Sequence, residues 1–259
     1  MPELPEVETL CRQLRTILPG ERVLGVELHD PLLEKVEGLV GNRVMAVWRR
    51  GKAIWIELES GPAVSLHLRM TGRLLWQTGA FAAIRHMRMV ISFAAGKLVL
   101  IDPRRFATFR TGSDRVIPAQ LADPLEGLPA RRLREVAGTR RLPIKAFLMD
   151  QRFIAGIGNI YACEILHGAG VEPRRPAGSL TAGEWRKVQR AAERILPRAV
   201  ACRGTTVSDW RDLFGTSGTN QENLEVYARE GEACRRCGTE IRRLVIGGRG
   251  TWFCPSCQK

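Results

Sequence analysis

The sequence contains no long apolar run. Among its 259 residues there is no stretch of about 18 consecutive apolar residues and no apolar signal-peptide core, so neither a membrane-spanning helix nor a secretory leader is predicted. Low-complexity segments and internal repeats are absent as well. A chain with 44% hydrophobic residues and this length has room for two cores. We therefore expect a cytoplasmic protein with no membrane partner.

Cysteine is rare outside the C-terminal end of the chain. Cys11, Cys163 and Cys202 are widely spaced, and the total of seven is odd, which argues against a framework of disulfide bonds. Isolated cysteines of this kind are typical of small buried side chains in a reducing compartment.

Acidic residues are outnumbered by basic ones. The chain has 27 Asp+Glu against 40 Lys+Arg, a formal net charge of +13 and a pI near 10.2, and the excess is spread along the whole length. A distributed positive charge is typical of proteins that bind a polyanion, nucleic acid above all.

The first half of the chain is predicted to be rich in β-strands. Apolar residues from Val7 to Leu18 recur at helical spacing and stop at Pro19, so residues 5–18 are predicted to form one amphipathic helix. Short β-branched and aromatic runs follow, separated by turn residues, which is typical of antiparallel hairpins in a sandwich. The predicted strands are 22–28, 43–48, 53–59, 63–69, 87–93 and 97–101.

After a linker at 123–129 the pattern becomes helical. The predicted helices are 130–136, 144–150, 158–167 and 181–201, followed by a cysteine-rich hairpin. The expected fold class is α+β, with an N-terminal antiparallel β-sandwich and flanking helix, then a helical domain and a zinc-finger β-hairpin. The predicted domains are 1–128, 129–228 and 229–259.

The four C-terminal cysteines form two knuckles. Cys234-x-x-Cys237 and Cys254-x-x-Cys257 are separated by 16 residues, a spacing that lets four thiolates hold one tetrahedral Zn²⁺. Because the protein fills all four positions, the ion is predicted to be structural, and two redox pairs are the alternative. Arg249, between glycines at the hairpin tip, is predicted to present a cation to a phosphate; a solvated surface side chain is the alternative.

Pro2 and Glu3 are the candidate catalytic pair. Removal of Met1 by an aminopeptidase would expose the secondary amine of Pro2, and an α-amine titrates near ~8, so part of it is unprotonated at neutral pH. With an aldehyde-level carbon this amine forms an iminium, which stays positively charged and acts as an electron sink. The neighbouring Glu3 carboxyl is suited to proton transfer. The alternative is that Pro5 and the nearby glutamates only begin a helix.

Three further stretches place candidate side chains at the ends of strands or helices. Asn159 follows a Gly-x-Gly at a predicted helix start, where backbone N–H groups bind phosphate; capping of the helix is the alternative role. Met70 and Phe106 lie on predicted loop tips, where they are suited to filling the hole left when a base leaves the duplex. Burial in the core is the alternative for both side chains.

Together these stretches resemble the formamidopyrimidine-DNA glycosylase family, whose members excise oxidised purines such as 8-oxoguanine. The resemblance is carried, in order, by residues 2–9, 67–72, 102–106, 156–162 and the four-cysteine ending with Arg249-Gly250-Thr251. It implies a bifunctional DNA glycosylase and AP lyase, acting through a Schiff base on Pro2 and β,δ-elimination. It also implies a helix-two-turn-helix, one structural Zn²⁺, damaged double-stranded DNA lying between the domains, and a monomer.

The resemblance also implies a role for each site residue. Pro2 attacks C1′ of the damaged nucleotide, and Glu3 shuttles protons at the sugar. The catalytic set is completed by Lys52 and Arg249, which contact phosphates. The DNA-binding set consists of Asn159 and Arg249 on flanking phosphates, Met70, Arg104 and Phe106 in the void, with Arg104 facing the orphaned cytosine, and the adjacent Arg105.

The chain departs from the family pattern in two places. Residues 211–223 look a few residues shorter than the loop that closes over the flipped base, and Ala107 replaces a usual glycine. These changes leave the nucleophile untouched, so oxidised pyrimidines and hydantoins remain alternative substrates. A protein that binds damaged DNA without catalysis, or a zinc-ribbon transcription or ribosomal protein, remains a non-enzymatic alternative.

Overall fold

The computed structural model describes residues 2–34, 37–61, 63–79, 83–111 and 122–259. The described residues form two compact units, one drawn from 1–117 and 202–219 and the other from 118–201 and 220–259. Met1, on whose removal the predicted nucleophile depends, lies outside the described residues. In the part of the chain that is described, no helix combines the length and the apolar character needed to cross a membrane.

Helix α1 spans Leu4–Ile17 and begins the first unit. Pro5 lies in its first turn, where a missing backbone N–H leaves no helical hydrogen bond unmade. The Glu6 side chain accepts a hydrogen bond from the backbone N–H of Glu3 at 2.8 Å, as in a capping box. The predicted helix is therefore confirmed, shifted by one residue. Its buried face includes Val7, Leu10 and Leu14.

Among the described residues, eight strands of the first unit form two antiparallel sheets. The strands are β1 Gly25–Leu28, β2 Val44–Arg50, β3 Ala53–Leu58, β4 Val64–His67, β5 Arg73–Gln77, β6 Met87–Ser92, β7 Lys97–Ile101 and β8 Thr108–Thr111. One sheet has the order β1-β6-β7-β5 and the other β2-β3-β4-β8. The expected antiparallel sandwich is confirmed.

Strands β5 and β8 were absent from the sequence-based assignment. Each is short, and each has only one fully buried residue, Leu74 in β5 and Phe109 in β8, so neither shows a clear alternation of apolar and polar residues. Their positions depend on pairing with distant strands, β5 with β7 and β8 with β4. A local pattern does not reveal such pairing.

The segment 202–219 belongs to the first unit. Trp210 and Leu213 join the core that α1 forms with both sheets. The Gln13 side-chain amide donates to Asp212 Oδ2 at 2.9 Å and its oxygen accepts the Leu213 N–H at 3.0 Å, so the segment is tied to α1. The sequence-based division had placed this segment in a domain spanning 129–228. That three-part division of the chain stays a prediction.

The second unit is helical and ends in a β-hairpin. Its elements are α2 Ala130–Ala137, α3 Ile144–Met149, α4 Asn159–Ala169, α5 Ala182–Ala201, β9 Arg242–Ile246 and β10 Arg249–Phe253. Large buried side chains fill the helical core, among them Phe147, Tyr161 and Trp185. A smaller apolar cluster around Val226 and Ile241 supports the hairpin. The expected α+β class is confirmed.

Candidate functional site

Several predicted site residues lie on segments that meet at one end of the sheet β2-β3-β4-β8. Arg50 pairs with Ala53, Ala53 pairs with His67, and His67 pairs with Thr108. The two-residue turn at Gly51, the segment after β4 and the segment before β8 therefore emerge side by side. We call this the Gly51 end of the sheet. Its segments carry Lys52, Met70, Arg104, Arg105 and Phe106.

Helix α1 points its first residues towards the same end. Arg15 Nε donates to the Val47 carbonyl at 2.8 Å, and Glu8 Oε2 accepts from Arg49 Nε at 3.0 Å. Residue numbers fall along the helix as they rise along β2, so the two elements run antiparallel. The structure therefore brings Pro2 and Glu3 to the Gly51 end.

Pro2 and Glu3 are both buried in the first unit. Glu6 ties the Glu3 backbone to the segment 202–219, because one of its carboxylate oxygens accepts the Glu3 N–H and the other accepts the Thr205 N–H at 2.7 Å. Gly204, at φ +81°, lies so close that a Cβ there would be 2.8 Å from Glu6. The sequence reasoning treated Glu6 only as a helix-start residue. The missed signal was its spacing of three from Glu3, which is that of a capping box.

Glu8 is a structural carboxylate and not part of the reactive pair. Its oxygens accept hydrogen bonds from Arg12 and Arg15 at 3.1 Å each and from Arg49 at 3.0 Å. Burial acts to raise the pKa of Glu8, but the hydrogen bonds and charges of these arginines outweigh it and the pKa is lowered. Glu8 therefore stays ionised and braces α1 against β2.

Asp102 organises the loop between β7 and β8. Its carboxylate accepts the backbone N–H groups of Phe106 and Ala107 at 2.7 Å each, and it also accepts the Thr71 hydroxyl at 2.5 Å. Because Thr71 lies on the segment after β4, one buried carboxylate couples both loop tips of the Gly51 end. Arg88 supports this carboxylate at 3.5 Å.

The loop tips present a cation and two apolar side chains. Met70 is 42% exposed and Phe106 is 48% exposed, which removes the core alternative for both. The Arg104 guanidinium lies over the Phe106 ring, 4.6 Å from its centre. Their neighbours Arg69 and Arg105 have φ values of +56° and +60°, so the backbone turns sharply at each tip.

Arg105 is held by Asp30. Its guanidinium donates two hydrogen bonds to the Asp30 carboxylate, at 2.6 and 2.8 Å, and Arg88 donates a third at 2.5 Å. The hydrogen bonds from Arg105 are the main reason that the pKa of Asp30 lies well below its usual value. A DNA contact through Arg105 stays a prediction. In the structure the Arg105 side chain anchors its loop to Asp30.

Lys52 lies partly exposed in the turn at Gly51. Burial, together with the charges of Arg69 and Lys52, lowers the pKa of His67 to about 4. His67 is therefore neutral at physiological pH, and the positive charge at the Gly51 end belongs to lysine and arginine side chains.

In the second unit, a buried lysine joins helix α4 to the hairpin. Lys145 is fully buried, and its Nζ donates to Asn159 Oδ1 at 2.6 Å, to the Gly250 carbonyl at 3.0 Å and to Thr251 Oγ1 at 2.7 Å. Asn159 Nδ2 also donates to the Gly250 carbonyl, at 3.1 Å. The sequence reasoning missed Lys145, because a lysine within an apolar helical run looks like a surface residue.

Arg249 is exposed at the start of β10, directly after Gly247 and Gly248. Both glycines have positive φ values, +55° and +72°, which a tight hairpin turn requires. Arg249 and Lys145 line the same cavity. The structure therefore places Asn159 and Arg249 in one neighbourhood of the second unit.

The four C-terminal cysteines converge on one point. Their Sγ atoms all lie within 4.8 Å of one another, with 3.9 Å between Cys234 and Cys257 and 3.5 Å between Cys237 and Cys254. Tetrahedral Zn–S bonds of about 2.3 Å place sulfur atoms about 3.8 Å apart. The cluster therefore fits one structural Zn²⁺ with no open coordination position.

Comparison with known protein families covers most of the chain. Residues 1–109 match the formamidopyrimidine-DNA glycosylase N-terminal domain, residues 122–210 match its H2TH domain, and residues 231–259 match the zinc finger found in FPG and IleRS. The helix-two-turn-helix and the zinc finger that the resemblance implied are thereby confirmed.

Similar proteins cover the chain from end to end. Formamidopyrimidine-DNA glycosylase of Pelotomaculum thermopropionicum is 40% identical over 279 residues, covering 100% of this chain and 99% of the relative. The protein of the same name from an Exiguobacterium species is 40% identical over 277 residues, covering 100% of both chains.

Solved structures of similar proteins share the fold of this chain. A variant of Lactococcus lactis FPG in complex with Fapy-dG DNA has a TM-score of 0.91 at 30% identity and covers 100% of both chains. Lactococcus lactis Fpg with abasic-site DNA has a TM-score of 0.89 at 31% identity and covers 99% of both. The chain therefore belongs to the formamidopyrimidine-DNA glycosylase family.

Proposed function

We propose that this protein is a DNA-repair glycosylase with AP lyase activity, which excises oxidised purines such as 8-oxoguanine and formamidopyrimidines from duplex DNA. The observation that carries the proposal is the convergence of Pro2 and Glu3 with the loop tips bearing Met70, Arg104 and Phe106 at the Gly51 end. A nucleophile beside side chains able to replace an extruded base is what base excision requires. Membership of the family supports the same reaction.

The amine of Pro2 is the proposed nucleophile. With Met1 removed, its nitrogen forms a bond to C1′ while the bond between C1′ and the damaged base breaks, and the base leaves with a proton. Opening of the sugar ring gives an iminium on Pro2. The iminium acidifies the C2′ proton, so its loss expels the 3′ phosphate, and a second elimination expels the 5′ phosphate.

Glu3 is the proposed proton carrier at the sugar. Its backbone N–H is fixed by the hydrogen bond to Glu6, and Glu3 directly follows Pro2 in the chain. A carboxyl in this position gives a proton to the opening sugar oxygen and takes protons back during elimination. Glu6 acts as a positioning residue, because both its oxygens are engaged by backbone N–H groups.

The loop tips of the first unit are proposed to replace the lost base. Met70 and Phe106 insert apolar surface into the stack, and Arg104 faces the orphaned cytosine, whose ring edge offers hydrogen-bond acceptors. Lys52 contacts a phosphate next to the lesion. Arg105 uses two of its five N–H groups on Asp30, so we assign it the support of the loop, with its remaining N–H groups able to contact a phosphate.

The second unit is proposed to hold the DNA backbone. Asn159, with one amide N–H beyond its bond to Gly250, and Arg249 contact phosphates that flank the lesion. Lys145 keeps both near each other from beneath the surface. The zinc ion, held by Cys234, Cys237, Cys254 and Cys257, supplies no reaction chemistry, since a four-thiolate site is closed; it fixes the hairpin that carries Arg249.

The high positive charge supports a DNA partner in both units. Each phosphate contact by a lysine or arginine releases a counterion, so affinity should fall steeply with salt concentration. We propose that the protein acts in the bacterial cytoplasm, where the DNA is, and as a monomer.

Oxidised pyrimidines are the second candidate substrates. Wild-type Lactococcus lactis Fpg, 30% identical to this chain, has been solved in complex with DNA containing an oxidised pyrimidine, with a TM-score of 0.90. The reaction on the sugar would be the same, so only the fit of the base separates the candidates.

A strand-cleavage assay under single turnover tests the proposal. Duplexes of one sequence carry 8-oxoguanine opposite cytosine, an oxidised pyrimidine, or an abasic site. We expect the 8-oxoguanine duplex to be cut faster than the pyrimidine duplex, leaving phosphate on both sides of the gap. Faster cutting of the pyrimidine duplex would support the second candidate. Binding without cutting of any duplex, the abasic one included, would leave a protein that only recognises damage.

A further inference from the structure

A buried histidine contacts one of the zinc-binding cysteines. His167 lies in the last turn of α4 and is 1% exposed, and its Nε2 is 3.6 Å from Cys234 Sγ. Cys234 is itself only 3% exposed. This distance falls within the range of a hydrogen bond to sulfur. Nothing in the reaction or in the four-cysteine ligand set accounts for this residue.

We propose that His167 is a positioning residue of the zinc site, donating its Nε2–H to the Cys234 thiolate. A zinc-bound thiolate is a hydrogen-bond acceptor, so the nitrogen that faces it must carry the hydrogen. The other ring nitrogen, Nδ1, is buried and has no hydrogen-bond partner among the described residues. The ring is therefore assigned one N–H, on Nε2, and that N–H donates to the sulfur.

The need for such a donor follows from the charge of the site. Four thiolates and Zn²⁺ carry a net charge of −2, and the sulfur atoms deepest in the protein have the least water to offset it. Cys254 Sγ, which is also buried, receives the backbone N–H of Cys257 at 3.4 Å. His167 provides the corresponding donor for Cys234, but from outside the zinc finger.

The position of His167 along α4 gives the contact a second consequence. Helix α4 begins with Asn159, so one helix carries the contact to the metal site near its end and the amide bonded to the hairpin at its start. The zinc finger is thus joined to α4 at two points: Lys145 and Asn159 contact the hairpin, and His167 contacts Cys234. Loss of the histidine N–H should loosen the metal without removing a ligand.

The test compares His167→Phe with Ile165→Val. Phenylalanine keeps a buried ring and removes the N–H, whereas Ile165 is a buried residue of the same helix that belongs to the helical core and not to the cluster around the cysteines. The full-length proteins are loaded with Zn²⁺ to measure its release to a chelator. In parallel they are loaded with Co²⁺ to record the sulfur-to-metal charge-transfer band.

We expect His167→Phe to release zinc about 10-fold faster, as is usual for loss of a hydrogen bond to a metal ligand. The charge-transfer band should move to lower energy, because a thiolate without its hydrogen bond gives up electrons more easily. Ile165→Val should leave the band unchanged. An unshifted band in His167→Phe would overturn the proposal, whatever the rate of zinc release, since the histidine ring would then contribute packing alone. Circular dichroism checks that both variants are folded.

Discussion

The buried groups that hold the site segments in place are of opposite charge in the two units. At the Gly51 end of the first unit these groups are carboxylates. Glu6 accepts the backbone N–H groups of Glu3 and Thr205, and Asp102 accepts those of the loop at Phe106 and Ala107. In the second unit they are cations, Lys145 and the zinc ion, which collect carbonyl, hydroxyl and thiolate groups. Together with the proposed function, we infer a division of labour, in which one set of buried charges supports base removal and the other supports binding of the DNA backbone.

Glu3→Gln should slow base excision and leave DNA affinity nearly unchanged. Removing a positioned proton carrier typically costs about 10²–10⁴-fold in rate, so single-turnover excision of 8-oxoguanine should fall by that factor. The DNA dissociation constant, measured by fluorescence anisotropy, should stay within about threefold, because no phosphate contact changes. An equal loss of affinity and rate would contradict the division of labour.

Cys237→Ser should instead weaken DNA binding. With one thiolate removed the zinc site opens, and we expect loss of zinc and a fall in DNA affinity of about 100-fold or more, because the hairpin carrying Arg249 depends on the metal. Zinc content and anisotropy measure the two effects. Cys202→Ser, outside the cluster, is the matched control and should change neither. Unchanged affinity in Cys237→Ser would refute the structural role of the metal.

Lys145→Met should weaken the second unit alone. The change removes the lysine donor from the Asn159 and Thr251 oxygens and leaves the Gly250 carbonyl with Asn159 alone, at a cost of about 3 kcal/mol in the free energy of unfolding. Urea denaturation measures it. Lys187→Met, at an exposed position of α5, should cost less than about 0.5 kcal/mol. Similar midpoints for the two variants would show that the lysine is not a centre of the fold.

The smallest effect is a pH dependence at the start of α5. The hydrogen bond from Arg175 is the main reason that the pKa of Glu184 is lowered to about 2. Because the folded-state pKa is depressed, this stabilisation is fully present above the unfolded value of 4.5 and is lost as pH falls through about 2. Arg175→Gln should cost about 1 kcal/mol at neutral pH.

The control for this pH dependence is a more exposed pair. The cost of Arg175→Gln should shrink as the pH falls from about 5 towards about 2, when followed by thermal unfolding. Arg174→Gln removes the partner of Glu172, and its arginine side chain is 64% exposed, so its cost should be smaller. A cost of Arg175→Gln that does not change with pH would exclude the linkage.

Local patterns were sufficient for the elements that signal themselves. Helix α1 is marked by its periodic apolar residues, and the zinc site by the spacing of its cysteines, so both were predicted. Met70 and Phe106 were placed on loop tips because they follow the ends of predicted strands. In each case the information lies within a few positions of the residue.

Long-range partners were not predictable from the same patterns. The predicted DNA contact of Arg105 gave no sign of its pairing with Asp30, which is 75 positions away in the chain. Gln13 and Asp212 are 199 positions apart, so no local pattern assigned the segment 202–219 to the first unit. Lys145 looked exposed because its three acceptors lie on other elements. Such contacts are set by tertiary packing, which a local pattern does not contain.

The central claim is that the amine of Pro2 performs the chemistry at the Gly51 end. The most direct measurement is borohydride trapping with a duplex carrying 8-oxoguanine opposite cytosine, followed by intact mass and peptide mapping of the adduct. The account predicts a covalent adduct on the nitrogen of Pro2 in a chain from which Met1 has been removed. No adduct on Pro2 in a chain that lacks Met1 and still binds this duplex, or an adduct on a lysine such as Lys52, would contradict it.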